Sequence, residues 1–156
     1  QNGRQSMMVW GGFSTRGRTP LLRVEGSMNV AKYAGVLEDY LVHQICADYG
    51  ATDAAWLQDD LAPCHAAKAS KEVKAQLGLR LLPWVGQSPD LNTIQNAWAE
   101  LERRLRQRPT APKNMDEVWA ALCQEWDAIP HAFFKTLAES MPRRVRGVMA
   151  AQGAST

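Results

Sequence analysis

The spacing of hydrophobic and polar positions changes several times along the chain, and each change marks an element. Met7 to Phe13 and Thr19 to Val24 are short runs of apolar and β-branched residues joined by the Gly-containing stretch Ser14 to Arg18, a pattern that predicts a hairpin. From Val30 the period lengthens. Val30, Ala34, Val36, Leu37, Leu41 and Ile45 recur at helical intervals, with Asn29 placed to cap the start and Gly50 to stop the run. Ala54 to Asp60 is again short and apolar and ends in acids. Ala66 to Leu77 is a lysine-rich amphipathic run stopped by Gly78. Leu79 to Trp84 then reads as a strand that ends at Pro83, which has no N–H to give to a ladder. Strand, helix and strand in this order predict parallel pairing across a helical crossover, and therefore an α/β class.

Val85 to Leu91 reads as a loop, and Asn92 is placed to cap a helix running to about Gln107. Ile94, Ala97, Trp98, Leu101 and Leu105 form its apolar stripe, opposite Glu100, Arg103, Arg104 and Arg106. Pro109 and Pro112 bracket a linker. Two further helices are predicted, Met115 to Ala128 and His131 to Ala151, and no internal repeat is visible.

Composition adds few constraints. A chain of 156 residues with 46% hydrophobic content and six tryptophans has room for one domain with a proper core. No apolar run approaches the roughly 20 residues that cross a membrane, so no membrane partner is expected, and the N-terminus lacks a secretory pattern. Cys46, Cys64 and Cys123 are odd in number, widely spaced and without paired histidines nearby. Neither a disulfide framework nor a zinc site is suggested, and a reducing compartment fits best. The net charge of +2 does not demand nucleic acid. Its distribution is uneven, however, with Arg103, Arg104, Arg106 and Arg108 in one run and Arg143, Arg144 and Arg146 in another. Such runs can hold phosphates, or can simply be solvated helix faces. The tryptophans fall within strands or apolar stripes, which favours core packing over stacking on bases.

Two stretches carry candidate chemistry: Gln58-Asp59-Asp60-Leu61-Ala62-Pro63-Cys64-His65 and Ser88-Pro89-Asp90-Leu91-Asn92-Thr93-Ile94-Gln95-Asn96-Ala97-Trp98. Read as residues alone, Asp60 is a strand-end carboxylate and His65 a helix-start residue, while Asp90 and Asn92 are turn and capping residues. Together the stretches resemble the last two catalytic blocks of the mariner superfamily of DDE transposases, D-N-x-P-x-H and S-P-D-L-N-P-I-E-N-x-W. Asp60 falls on the second acid and Gln95 on the third, with 34 residues between them. Asp59 would break the alignment to Pro63 and His65. Met8 to Ser14 is similar to the family's M-V-W-G-x-F-S strand, and Ser140 to Arg144 with Gln152-Gly153 to its last helix, so the resemblance covers nearly the whole chain.

The resemblance implies a ribonuclease-H-like mixed sheet flanked by helices, with residues 1–108 as a truncated DDE core and 109–156 as a helical extension packed on it. It also implies that the central first strand and its aspartate, upstream of the M-V-W-G block in the family, are absent. The family's reaction cuts DNA and joins strands with two divalent ions, Mg2+ or Mn2+, held by three carboxylates. Gln95 offers an uncharged amide where the third acid is expected, and Thr93 replaces a proline suited to a first helical turn. None of the neighbouring acids is a substitute: Glu102 lies about 10 Å further along the helix axis, Glu100 points elsewhere, and Asp59 neighbours Asp60 on a strand, where successive side chains face opposite sides. The expectation is a catalytically inactive transposase-derived domain with no present cofactor, with Asp60 as the residual acid and ancestral metal ligand. Its role would be interaction or scaffolding, with a partner protein or a second copy pairing where the first strand is missing. The alternatives are a fragment of an active or decayed transposase, and a relic that holds DNA through Arg103, Arg104, Arg106, Arg143 and Arg144. Ancestry points to an intracellular, nuclear location.

Overall fold

The two N-terminal apolar runs pair as a hairpin. In the computed structural model, which describes residues 6–60, 62–82 and 91–153, β1 (Met8–Trp10) runs antiparallel to β2 (Leu22–Val24), with Val9 opposite Arg23. The ladder is shorter than the apolar runs because Pro20 has no N–H to contribute. Nearer the turn, Thr19 holds the strands together: its N–H donates to Gly12 O at 2.9 Å and its hydroxyl accepts from Gly12 N–H at 2.9 Å. A single bridge then joins Phe13 to Arg18.

The long helical pattern forms with the predicted ends and an irregular middle. α1 (Val30–Val36) continues through one π turn at Leu37–Leu41 into α2 (Val42–Tyr49). The Asn29 side chain caps the start by accepting from Lys32 N–H at 2.9 Å. Gly50 ends the helix with φ +88°, a left-handed conformation that glycine adopts at least cost. Its C-terminal end is tied to the hairpin turn, since the Arg16 guanidinium donates to Asp48 O at 2.8 Å and lies over the Tyr49 ring.

β3 (Trp56–Leu57) and β4 (Arg80–Leu81) pair in parallel, Trp56 opposite Arg80, as the strand–helix–strand order predicts. The crossover is two helices, α3 (Pro63–Ala66) and α4 (Lys68–Gln76), because Ala67 at ψ 146° is extended and parts them. β1–β2 and β3–β4 are separate two-stranded sheets. Pro83, Trp84 and the predicted loop as far as Asp90 lie outside the described residues.

α5 (Ile94–Arg106) begins one residue later than expected, and Asn92 serves it through its backbone carbonyl, which accepts from Gln95 N–H at 3.1 Å. α6 (Met115–Ala128) has the predicted bounds, with the Asn114 side chain accepting from Glu117 N–H and Glu117 accepting in turn from Lys113 N–H. The last predicted helix is in fact two, α7 (His131–Glu139) and α8 (Met141–Gly153). The break follows from Ser140, whose hydroxyl donates to Leu137 O at 2.6 Å, and from Pro142, which lacks an N–H.

Two apolar cores result. One contains Leu21, Ala97, Leu101, Trp126, Ile129 and Phe134; the other contains Tyr33, Leu37, Leu41, Ile45 and Leu79. Strand alternation places β1 between them, with Val9 packed on the first and Trp10 on the second. Trp98 stacks on Trp126 with ring centroids 5.4 Å apart, and a Cβ at Gly11 would lie 3.2 Å from Trp98. The glycine of the M-V-W-G stretch and the tryptophan that closes the last block therefore meet in the first core. Among the described tryptophans Trp56 is the exception to core packing, at 55% exposure.

Candidate functional site

Alternation at the end of β3 sends Leu57 and Gln58 to opposite sides. Leu57 packs into the second core, and Asp59, two residues on, turns to the same side, toward α1 and α4. Gln58 turns the opposite way and its amide donates to Leu91 O at the approach to α5. Asp60 follows the end of the strand, and its carboxylate turns back beside that of Asp59, both reaching His65 Nδ1.

Asp59 is committed to the fold. Its side chain is 15% exposed, Lys74 Nζ donates to Oδ2 at 2.5 Å, and the Tyr33 hydroxyl donates to the same oxygen. His65 Nδ1 lies 2.8 Å from Asp59 Oδ1. Burial alone would raise the Asp59 pKa, but the hydrogen bonds from His65, Lys74 and Tyr33 outweigh it and hold the carboxyl below its ordinary value. The Tyr33 hydroxyl is pushed upward, first by burial and then by the adjacent Asp59 charge.

Asp60 is 45% exposed and accepts from Ala62 N–H at 3.0 Å and from His65 Nδ1 at 2.5 Å, both at Oδ1. Nδ1 therefore faces two carboxylates, which only accept, so this nitrogen carries the proton. Burial would lower the His65 pKa, but the bonds and charges of Asp59 and Asp60 raise it. His65 also packs against the Tyr33 ring, 4.2 Å between centroids.

Asp59, Asp60 and His65 form the one group of three metal-ligating side chains found among the described residues. Its separations of 2.5 and 2.8 Å are those of hydrogen bonds. An octahedral ion with ligands at about 2.1 Å keeps neighbouring ligand atoms about 3 Å apart. Gln95, in the first turn of α5, is exposed and uncharged. Glu100 is held by Arg103 and Arg104 at 2.7 Å each, and the Arg103 hydrogen bond leads in lowering its pKa to about 2. Glu102 pairs with Arg106 at 2.5 Å. Asp60 is thus the one carboxylate of this set with no lysine or arginine paired to it, and these residues do not fit a pair of divalent ions.

The arginines singled out from sequence divide into two groups. Arg103, Arg104 and Arg106 are all paired with Glu100 or Glu102, and Arg108 with Glu125, so this run is largely neutralised. Arg143 is exposed on α8, whereas Arg144 bonds Ser140 Oγ and Asn96 Oδ1 and so fastens α8 to the first turns of α5. Sequence reasoning missed Lys74, one of several lysines on α4. Lys74 follows Ser70 by four residues on one helix face, and only the closed fold shows that this polar face is buried.

No protein-family model matches the chain. It is 37% identical over 157 residues to the transposable element Tcb1 transposase of Caenorhabditis briggsae, a match covering 100% of this chain and 56% of that protein. It is 33% identical over 156 residues to the transposable element Tc1 transposase of Caenorhabditis elegans, again over 100% and 56%. The chain therefore spans about half the length of these curated relatives. Its fold is that of the catalytic domain of Mos1 mariner transposase, with a TM-score of 0.79 at 19% identity over 94% of this chain and 74% of that one. A crystal structure of the Mos1 mariner paired end complex with Mn gives a TM-score of 0.77 at 17% identity, over 99% of this chain and 47% of that one.

Proposed function

We propose that this chain, homologous over its full length to Tc1/mariner transposases, is a transposase-derived domain that does not perform two-metal DNA cleavage and acts through interaction or scaffolding. The observation that carries the reading is Gln95: the third-acid position holds an exposed amide, and none of Glu100, Glu102 or Asp59 is free to replace it. Three carboxylates are what offset the charge of two dications. Asp60 supplies one, with His65 sharing its Oδ1. The packing around it is intact, with Trp98 stacked on Trp126 and the caps of α1 and α6 made. That combination, altered acids in a sound core, supports retention of the fold apart from the reaction.

The proposed partner is a β-strand from another protein or from a second copy of this chain, added to an edge of β1–β2 or β3–β4 that pairs with no other strand among the described residues. A nuclear setting belongs to the same proposal, and no helix among the described residues is long and apolar enough to cross a membrane.

Incubating the purified chain with nicked DNA and Mg2+ or Mn2+ tests the main claim. No cleavage is expected. Cleavage that disappears in Asp60→Ala would overturn it and favour the alternative of a fragment of a working transposase. Light scattering across a concentration range tests the strand-pairing claim, which expects a dimer or a complex. A persistent monomer whose β1 and β3 amides exchange freely rules it out.

A further inference from the structure

We propose that Trp56 and Arg80 form a nucleotide-stacking platform for single-stranded DNA. They are cross-strand partners in the parallel pair and project from one face of that sheet. Trp56 is 55% exposed, and the Arg80 guanidinium lies over its ring at 4.1 Å. Water contact over exposed aromatic surface is unfavourable, and a stacked base would relieve it.

The chemistry of the pair selects the ligand. Arg80 bonds the backbone carbonyl of Asp53 at 3.4 Å, and no carboxylate pairs with it among the described residues, in contrast to Arg103, Arg104, Arg106 and Arg108. An aromatic face beside an uncompensated guanidinium matches a base and its phosphate, one on the ring and the other on the cation. Arginine against the first face of Trp56 also fixes the ring, so little side-chain entropy is lost when a base covers the second.

Two residues on from Trp56, Gln58 bonds Leu91 O at the approach to α5 and so anchors the stretch that follows the platform. The inference concerns binding alone, and it holds whether or not cleavage occurs.

The test is fluorescence anisotropy of a labelled oligothymidylate with the full 156-residue chain. Trp56→Ala is expected to weaken binding about tenfold, the effect of losing one stacked base. Trp56→Phe, which keeps a ring, should stay within about threefold, and Arg80→Gln should weaken binding and lower the salt slope by about one unit. Tyr40→Ser, an exposed aromatic on the π turn, serves as the control and should change nothing. Unchanged affinity in a Trp56→Ala protein with native circular dichroism overturns the proposal. So does a Trp56→Ala that dissociates a dimer while leaving oligonucleotide affinity intact, because the face would then be a protein interface. Cleavage assays decide the catalytic reading separately.

Discussion

At the residue scale, the pair Asp59 and Lys74 sets the local electrostatics. The Lys74 side chain is 4% exposed and Asp59 15%, so each charge depends on the other for solvation. Lys74→Met leaves a buried carboxylate without its main cation and is expected to cost about 3–5 kcal/mol in urea unfolding. Adding Asp59→Asn to that variant should recover more than half of the loss, because the orphaned charge is removed as well. The pH dependence has two limbs. Asp59 is held below its ordinary 3.8, so its contribution is present above that value and lost as pH falls through the lowered pKa. His65 is raised above 6.5, so its contribution is full below that value and lost as pH rises through the raised pKa. Urea midpoints should therefore be highest between these values, and His65→Gln should flatten the alkaline limb. The match to Pro63 and His65 singles out Asp60 in the sequence. Strand parity, which would part Asp59 from Asp60, does not hold, because the strand ends at Leu57 and both carboxylates reach His65 Nδ1. Lys74 was not legible, because a lysine on a lysine-rich helix reads as solvated until the neighbouring helix and strand close over it.

At the element scale, ends were more legible than interiors. Asn29, Gly50, Gly78 and Asn114 carry chemistry that acts locally, through a side-chain cap or a positive φ, and a sequence displays it directly. The π turn is a different case. Tyr33, Leu37, Leu41 and Ile45 recur every four residues, and on an α-helix of 3.6 residues per turn that stripe drifts around the axis. A wider turn at Leu37–Leu41 absorbs the drift and keeps all four side chains in one core. The spacing contains the information, but it acts only once a flat surface is present to pack against. The split at Ser140 was hidden for a similar reason, since its side chain competes with the helix through a bond to Leu137 O. The stop signals can be compared directly. A methyl added to Gly50, at φ +88°, would meet nothing within 4 Å, so Gly50→Ala carries only the backbone penalty, about 1 kcal/mol. At Gly78, with φ +70°, the same methyl would also lie 3.1 Å from Thr52 Oγ1, and Gly78→Ala should cost more by the same urea measurement.

At the scale of the whole molecule, the two cores share β1 and so should not unfold separately. Val9 belongs to one and Trp10 to the other, and the hairpin is fastened at both sides. Arg16 binds Asp48 O at the end of α2, while Arg18 donates to Ile129 O and Asp127 O at the corner between α6 and α7. No short-range pattern announces these ties, because they join residues far apart in the chain, Arg18 and Ile129 at a separation of 111. Trp126 is the strongest probe of the coupling. It is fully buried, stacks on Trp98, meets Phe134 edge-on, and donates from Nε1 to Thr19 O at 2.9 Å. Trp126→Ala is expected to cost about 3–5 kcal/mol through the cavity and the unsatisfied carbonyl. If the hairpin transmits that loss, amides of α2 in the other core should lose hydrogen-exchange protection by the same free energy as those of α5, and circular dichroism and tryptophan fluorescence should report one transition. Protection that falls in α5 and α6 but stays at its original level in α2 would mean that the cores are independent and that β1 merely lies between them.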